Sequence, residues 1–544
     1  MTQTPPFFIY RVLIVDDNDM ALRTLRRQLE DEGFYVRTAL NENQALDLMQ
    51  DERFHVAVVD LRLVDADMEN RAGLSLIDSF HAIDPTLAAI ILTGNADFAS
   101  ARRAMDQTRN QNAAFRLWTS PAFKFLEKTP EDLLILPDTI REAFERVHGV
   151  NLGLQIELPP EFIDTAIKRM ALRAASPDDL TRFREEVDEL LRKLFRDWEY
   201  LAIEPVTANP GYSRAMVFKA MPSGERGQGE VIVAKIGAWT LIEREIRAYR
   251  TSIRGLAGNF VPTAIEPAWR TRALGGMVYT YAGLGGDIHD FAEDFHASDP
   301  DSLASLVDTL FRRTMSWQTR RGARVHQSVD LRALFFTLLR LQPDELIEGR
   351  DRLADGNAAL IFEDGGLRVN AFALRDPVDF ALNTPMFGDY AETNVHGDLH
   401  IHNILIDDQR NAWLIDFANA AAAPLFYDHA FLEMSIRIEL VATEDASLLA
   451  AWASLLTAPD GSGAALPPEL AADPTIVKAH RAIEGIRRFV MRGRADEVRR
   501  SLRLYRMMLF FIALRLTTVR FLAPARKRHA LIAAAFLSDA LSGE

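Results

Sequence analysis

Five short apolar runs, each closed by a polar residue and separated by helix-like segments, constrain this chain more than any other feature. Arg11-Val-Leu-Ile-Val15 runs into Asp16-Asp17, and Phe34-Tyr-Val-Arg-Thr38 follows. His55-Val-Ala-Val-Val59 meets Asp60, Leu87-Ala-Ala-Ile-Ile-Leu92 meets Thr93, and Ala122-Phe-Lys-Phe-Leu126 ends near Lys128. Between them lie an amphipathic stretch with Ala21, Leu25 and Leu29, stopped at Gly33, then Glu42 to Gln50 and, at the end, Glu131 to Val147. Runs this apolar suit strands buried on both faces, and the βα alternation predicts an α/β doubly wound five-strand parallel sheet. In such a sheet the C-terminal strand ends share one edge, where ligands bind. Asp16, Asp17, Asp60, Thr93 and Lys128 all fall there. Three converging carboxylates repel unless a cation joins them, and hard oxygen ligands favour magnesium. A lysine and a threonine on the same edge can neutralise and hydrogen-bond a phosphoryl group. Any one of the five alone reads as a solvated strand end; five in order do not.

These residues give a resemblance. Over residues 10 to 148 the chain resembles a response regulator receiver domain, through Val-Asp16-Asp17, Val-Val-Asp60-Leu-Arg-Leu, Ile-Leu-Thr93-Gly and Phe125-Leu-Glu-Lys128. The resemblance implies a flavodoxin-like fold for residues 1–148 and a sensor histidine kinase as phosphodonor. It implies Asp60 as phospho-acceptor, magnesium held by Asp16, Asp17, Asp60 and the Arg62 backbone carbonyl, and Thr93 and Lys128 as readers of the phosphoryl group. Phe125 takes the place of the aromatic switch residue. The loop from Val64 to Gly73 is longer than the family's turn and lacks its proline. Gln107 to Pro121 reads as an insertion on the face receivers use for dimers or outputs, which leaves the homodimer open.

Residues 149–198 carry little strand signal and are expected to be a helical connector. Ser176-Pro-Asp-Asp179 is a helix start, and Leu180, Phe183, Val187, Leu190 and Leu194 form an apolar stripe behind it. The stripe is under three heptads long, so a helix packed on a neighbour is favoured over a free coiled coil. The whole chain has 544 residues, room for three to four domains. With no cysteine it can build no disulfide framework, zinc ribbon or cysteine nucleophile. Its 62 Lys+Arg against 77 Asp+Glu give a net charge of -15, which argues against nucleic acid as a partner. Met507 to Ala523 is interrupted by Arg515 and Arg520 and reads as a buried helix, not a membrane span. The N-terminus shows no signal peptide, so a cytoplasmic protein with no membrane partner is expected.

The strongest local signal is Val395-His-Gly-Asp398-Leu-His-Ile-His-Asn403-Ile-Leu-Ile406, followed by Ala412-Trp-Leu-Ile-Asp416-Phe417. Phosphoryl transfer from ATP needs an acid that orients and deprotonates the attacking group and side-chain oxygens that place magnesium on the phosphates. Asp398, Asn403 and Asp416 supply that set. The pattern resembles the catalytic core of aminoglycoside phosphotransferase-like and choline-kinase-like enzymes, which share the protein-kinase-like fold. The resemblance implies an α+β bilobal domain, with an N-lobe at 199–286 and a mainly helical C-lobe at 287–544. Tyr200 to Val206, Ala215 to Ala220, Glu230 to Lys235 and Gly276 to Gly283 are its expected strands. Gly211 and Ser213 mark the phosphate turn, Lys235 contacts the phosphates of ATP, and Glu245 on the helix Leu241 to Tyr249 is its partner, with Glu243 as competitor. The turn has one glycine where the family has several. Asp428 reads as structural, capping or pinning the loop after Asp416. His396, His400, His402 and Asp398 offer a competing metal-hydrolase reading, which leaves Asn403 and Asp416 unexplained.

Together these readings predict a two-component response regulator whose phospho-Asp receiver controls a kinase-like, ATP- and magnesium-dependent output acting on an unknown small-molecule or protein acceptor. The alternative is a nucleotide-binding pseudokinase that serves as a regulated scaffold. The output also resembles kinase-like domains of bacterial conflict or ternary signalling systems.

Overall fold

The computed structural model describes residues 10–63, 72–94, 124–170, 177–205, 215–254, 263–280, 288–319 and 324–543, apart from 226, 230, 356–358, 364, 459–464, 493–494 and 521. Gly211, Ser213, the helix start at Ser176, most of the loop after Asp60 and the insertion Gln107 to Pro121 lie outside them. The chain divides into two compact units. The first holds Met1–Pro205, Tyr212–Ile242 and Ala264–Thr280; the second holds Val206–Gly211, Glu243–Thr263 and Tyr281–Glu544.

In the first unit, β1 (Arg11–Val15), β2 (Tyr35–Ala39), β3 (Val56–Asp60), β4 (Ala88–Thr93) and β5 (Lys124–Glu127) form a sheet in the order β2-β1-β3-β4-β5. Every pairing is parallel. The connections include α1 (Asp19–Asp31), α2 (Glu42–Asp51) and α3 (Ala72–Ile83), and α4 (Pro130–Ala143) follows β5. Asn18 caps α1 by accepting from the Met20 and Ala21 N–H groups. The runs expected from sequence are the strands, with edges shifted by a residue or two. One apolar cluster covers each face of the sheet. Leu13, Ala57, Val59 and Ile91 point to one, and Val12, Ile14, Val58 and Ile90 to the other. Crossovers of this kind put all strand C-termini on one edge.

The segment 149–198 is not only helical. It contains β6 (Gln155–Glu157), which pairs in parallel with β7 (Tyr200–Pro205), before and after the helices α5 (Phe162–Arg169) and α6 (Pro177–Leu194). The sheet continues through β8 (Met216–Gly224), β9 (Gly227–Gln228), β10 (Ile232–Ala238), β11 (Thr263–Arg270) and β12 (Leu274–Thr280), in the order β11-β12-β10-β8-β7-β6 with β9 on β8. The helix α7 (Trp239–Ala248) follows β10. Sequence reading found β7, β8, β10 and β12 but not β6, β9 or β11. The apolar stripe of α6 is buried in the core of this sheet: Phe183, Val187, Leu190 and Leu191 join Leu201, Phe218, Ala234 and Ile236. Gly276 on β12 makes room for it, since a Cβ there would stand 2.7 Å from Leu194 Cδ1 and 3.3 Å from Leu190 Cδ2.

In the second unit, residues 287–389 were expected to be mainly helical, and strands interrupt them. Ile288–Asp290, Ile404–Asp407 and Ala412–Leu414 make one three-stranded sheet; Arg324–Asp330, Phe387–Val395 and Ala421–Pro424 make another; Leu360–Glu363, Gly366–Val369 and Phe372–Arg375 form a meander. From Tyr427 onward the described residues are helical, ending with Ala495–Thr518 and Pro524–Ser542. Met507 to Leu514 are buried. Among the described residues no helix is long and apolar enough to cross a membrane.

Because the α6 stripe packs inside its own chain, Leu190→Ala should leave a cavity and not weaken a dimer. Truncating a fully buried leucine costs about 2–5 kcal/mol, readable as a lowered midpoint in urea unfolding. The molecular mass by light scattering should stay unchanged. A shift in oligomeric state with little stability loss would reverse the assignment.

Candidate functional sites

In the first unit, the C-terminal ends of β1, β3, β4 and β5 bring together the residues expected there. Asp16, Asp17 and Asp60 each offer a carboxylate oxygen within 4.8 Å of one another, the only group of this kind among the described residues. Asp16 and Asp60 are buried and Asp17 half-buried. Lys128 Nζ lies 2.8 Å from Asp16 Oδ2 and 2.7 Å from Asp60 Oδ2, bridging the two. The Arg62 N–H donates to Asp60 Oδ1 at 3.4 Å, and the Asn18 N–H to Asp16 Oδ1 at 2.9 Å. Thr93 is buried, and its carbonyl accepts the Lys128 N–H at 2.8 Å, which ties β5 to the end of β4.

Burial pushes the Asp60 carboxyl above its ordinary range, and the Lys128 hydrogen bond only partly offsets this. Burial would lower the Lys128 ammonium, but its bonds to Asp16 and Asp60 hold it above its ordinary value. The donor set, carboxylates with an adjacent backbone carbonyl at Arg62, fits a hard divalent cation such as magnesium. Phe125 is half-buried on β5 and packs on the core at one sheet face.

In the second unit, backbone and side-chain bonds gather the loop at 396–403 and the turn at 416–419. Asn403 Nδ2 donates to the Asp398 carbonyl at 2.9 Å, the Ile415 N–H to the Asn403 carbonyl at 3.1 Å, and Asn419 Nδ2 to Asp398 Oδ2 at 3.0 Å. Asp398, Asn403 and Asp416 therefore share one locality. Asp416 adopts φ 65°, an uncommon left-handed conformation for a residue with a side chain. Gly397, at φ 83°, could not be replaced freely: a Cβ there would stand 2.2 Å from the Asn419 carbonyl oxygen.

Asp428 is fully buried. Its two oxygens accept the N–H groups of His396 (2.8 Å) and Gly397 (2.9 Å), so it holds the beginning of the loop that carries Asp398. Sequence reading missed Asn419, whose only signal was its place three residues after Asp416. Glu245 is fully buried and accepts the Phe417 N–H at 3.0 Å, whereas Glu243 pairs with Arg247 toward solvent. Lys235 belongs to the first unit, where it is buried at the middle of β10 and opposite Met277 and Val217.

The histidines do not converge as a metal site. His396 Nε2 is 2.9 Å from the Ile415 carbonyl. His402 lies between two carboxylates, with Nδ1 3.5 Å from Asp290 Oδ2 and Nε2 3.5 Å from Glu439 Oε2. Burial would lower its pKa, but the two carboxylates win and raise it to about 9. The imidazolium thus ties the catalytic-loop candidate to the start of the helix Phe291–Ala297, which Asp290 caps. A folded-state value above the unfolded value of about 6.5 contributes stability that is complete below pH 6.5 and lost as pH rises through 9. For this unit the loss should be on the order of 2–3 kcal/mol between pH 6.5 and 9.5. Denaturant unfolding across that window should show the slope, and His402→Gln should flatten it; an unchanged slope in the variant would refute the latch.

Comparison with known proteins bears on these sites. A model of the response regulator receiver domain matches residues 12–111, and one of ternary complex associated domain 9 matches residues 345–516. The alginate biosynthesis transcriptional regulatory protein AlgB of Pseudomonas aeruginosa is 36% identical over 95 residues, 18% of this chain and 20% of that protein. The chain thus spans about a fifth of the length of that relative. The virulence transcriptional regulatory protein PhoP of Salmonella typhimurium is 36% identical over 236 residues, 42% of this chain and 87% of that protein. A solved receiver domain protein from Clostridium thermocellum is 26% identical, covering 25% of this chain and 96% of that one with a TM-score of 0.21. With PhoP matched over most of its length and the receiver model matching the segment that carries Asp16, Asp17 and Asp60, the chain belongs to the response regulators of two-component systems.

Proposed function

We propose that Asp60 accepts a phosphoryl group from a sensor histidine kinase and that this controls a kinase-like output which transfers phosphate from ATP to an acceptor. The observation that carries the first half is the Lys128 bridge across Asp16 and Asp60 beside Asp17. An Asp60 oxygen attacks phosphorus, the P–N bond to the donor histidine breaks, and the imidazole leaves with the electron pair. Asp16, Asp17, Asp60 and the Arg62 carbonyl would hold magnesium. When bound, magnesium would offset the charge of the carboxylates and the phosphoryl oxygens. Lys128 then turns from Asp60 to the phosphoryl group, and Thr93 hydrogen-bonds it.

Asp398, Asn403 and Asp416, gathered around one loop, support the second half. Asp398 acts as base toward the acceptor hydroxyl, positioned by Asn419 through one oxygen while the other remains to take the proton. Asn403 and Asp416 would hold the magnesium that accompanies ATP. By the family resemblance, Lys235 serves the ATP phosphates, and Gly211, Ser213 and Glu245 are the other nucleotide-side residues. The named relatives regulate transcription; a net charge of -15 favours an output that does not grip nucleic acid.

Three experiments test this reading. Incubation with acetyl phosphate and magnesium should add one base-labile phosphate to the wild-type chain and none to Asp60→Asn; uptake by the variant would place the acceptor elsewhere. Calorimetry should detect magnesium-dependent ATP binding to the full chain, and absence of binding at millimolar ATP would leave a scaffold output. Asp398→Asn should cut turnover by about a hundred- to ten-thousand-fold with ATP affinity within a few-fold, whereas Asp416→Asn should weaken magnesium-ATP binding as well. Equal loss of ATP affinity in both would mean that Asp398 is not the base.

A further inference from the structure

The receiver meets the rest of its unit at the edge opposite Asp60. Arg53 and His55 immediately precede β3, Asp84 and Thr86 precede β4, Arg11 opens β1, and His148 ends the turn after α4. All these positions lie at the N-terminal ends of the strands. Against them lies α6. Both guanidinium nitrogens of Arg53 bond the Glu189 carboxylate, Nη2 to Oε1 at 3.2 Å, and Arg53 Nε reaches Asp84 Oδ2 at 3.4 Å. Lys193 Nζ lies 2.5 Å from Glu189 Oε1. His55 Nδ1 accepts the Arg11 N–H at 3.2 Å, so the neutral ring carries its proton on Nε2, which faces Glu189 Oε2 at 3.7 Å. His148 Nε2 is 2.8 Å from the His55 carbonyl, and its Nδ1 is 3.9 Å from Glu189. Toward the rim, Arg11 pairs with Glu185 at 3.0 Å and Arg182 bonds the Asp51 carbonyl.

Arg53, Asp84, Glu189, Lys193 and both histidines are buried. Two cations face two anions, and the cluster is neutral as a set. Such an array tolerates little displacement, because each ion has lost its water and depends on the others. Glu189 stays ionised, held well below the usual carboxylate range by Arg53 and Lys193 against the cost of burial.

The same helix grips the output-side sheet. Glu186 Oε2 accepts the N–H groups of Ala273 (3.0 Å) and Leu274 (3.3 Å) and the Thr271 hydroxyl, all at the turn between β11 and β12. Lys193 also donates to the Arg270 carbonyl at 3.1 Å. β12 pairs with β10 and sets Met277 opposite Lys235.

We infer that α6 reads the phosphorylation state of Asp60 through the N-terminal ends of β3 and β4 and passes it to the β11–β12 turn and the sheet that carries Lys235. The inference rests on Asp60 as phospho-acceptor. β3 and β4 each end in a reactive-edge residue, Asp60 or Thr93, and cluster residues precede each of them in the chain, Arg53 and His55 before β3 and Asp84 before β4. Their residues from Val56 to Val59 and from Ala88 to Leu92 are almost wholly buried. A close-packed interior passes a displacement on instead of absorbing it. Linkage makes the coupling reciprocal, so loosening α6 must alter phosphorylation equilibrium at Asp60.

Hydrogen exchange by mass spectrometry on the full chain, with and without acetyl phosphate and magnesium, tests the route, while intact mass reports phosphate uptake. Exchange in 180–194 and 268–280 should change at least threefold on phosphorylation, and in Asp60→Asn not at all. Glu189→Gln should still gain phosphate and lose the response at 268–280. If that variant does not fold, Arg11→Ala, which removes the rim pair with Glu185 and the contact over the Tyr35 ring, should reduce the response in 180–194. Stoichiometric phosphate uptake with unchanged exchange in both segments, or a change confined to 124–143, would overturn the route. Absence of phosphate uptake would overturn both the acceptor assignment and the route that rests on it.

Discussion

The first unit depends on one buried carboxylate. Glu189 has no exposure and stands between Arg53 of the receiver and Lys193 of its own helix. Removing one partner of such a set would cost about 3–5 kcal/mol, because the remaining charges would be buried uncompensated. That requirement fixes the rotation of α6. With Glu189 toward Arg53, the 3.6-residue period brings Arg182 and Glu185 to the receiver. Glu186 reaches the β11–β12 turn, and Leu190 and Leu194 close on Gly276. Receiver and sheet are therefore held in one compact unit by polar contacts on one side of a helix and apolar packing on another.

The second unit solves a different problem, a loop carrying polar residues at a part-buried place. Buried backbone groups must find partners. Here side chains from distant elements supply them: Asp428 for the N–H groups of 396 and 397, Ser435 for that of Ile401, and Glu245 for that of Phe417. Gly397 lets the chain pass within contact of Asn419, which brings that amide to Asp398. Each bond removes a freedom that a reacting carboxylate would otherwise have to lose on binding its substrate.

The receiver strands were legible because strands buried on both faces write themselves as continuous apolar runs, and their polar ends mark the reactive edge without any knowledge of packing. β6 was not legible, since Gln155-Ile-Glu157 has one apolar residue and forms only by pairing with β7. β11 contains Pro267, which argues against a strand. The role of Glu189 was hidden for a subtler reason. In Arg184-Glu-Glu-Val-Asp-Glu189 nothing in the sequence separates the acids, yet the receiver's Arg53 meets Glu189 and the β11–β12 turn meets Glu186. The hold of Asp428 on the start of the loop at 396 is not legible, because its partners there lie 31 and 32 residues away in sequence.

Charge arithmetic at the receiver edge joins these points. Asp16, Asp17 and Asp60 carry three negative charges when ionised, and Lys128 offsets one. The Asp60 carboxyl is accordingly raised by burial more than Lys128 lowers it. A divalent cation would cancel the remaining two. An acyl phosphate at Asp60 would remove the carboxylate charge and add about 1.5 to 2 on the phosphoryl group, so the net gain would be at most one negative charge, displaced outward from the strand end. The lysine that now spans Asp16 and Asp60 then has a better partner farther out. The local change is a redistribution of charge and of one ammonium, and not a large new electrostatic load. Toward solvent a redistribution of that size is screened within about 8 Å at physiological ionic strength, so its route into the protein is the packed interior. It must act by moving packed atoms, and the packed atoms attached to Asp60 and Thr93 are those of β3 and β4.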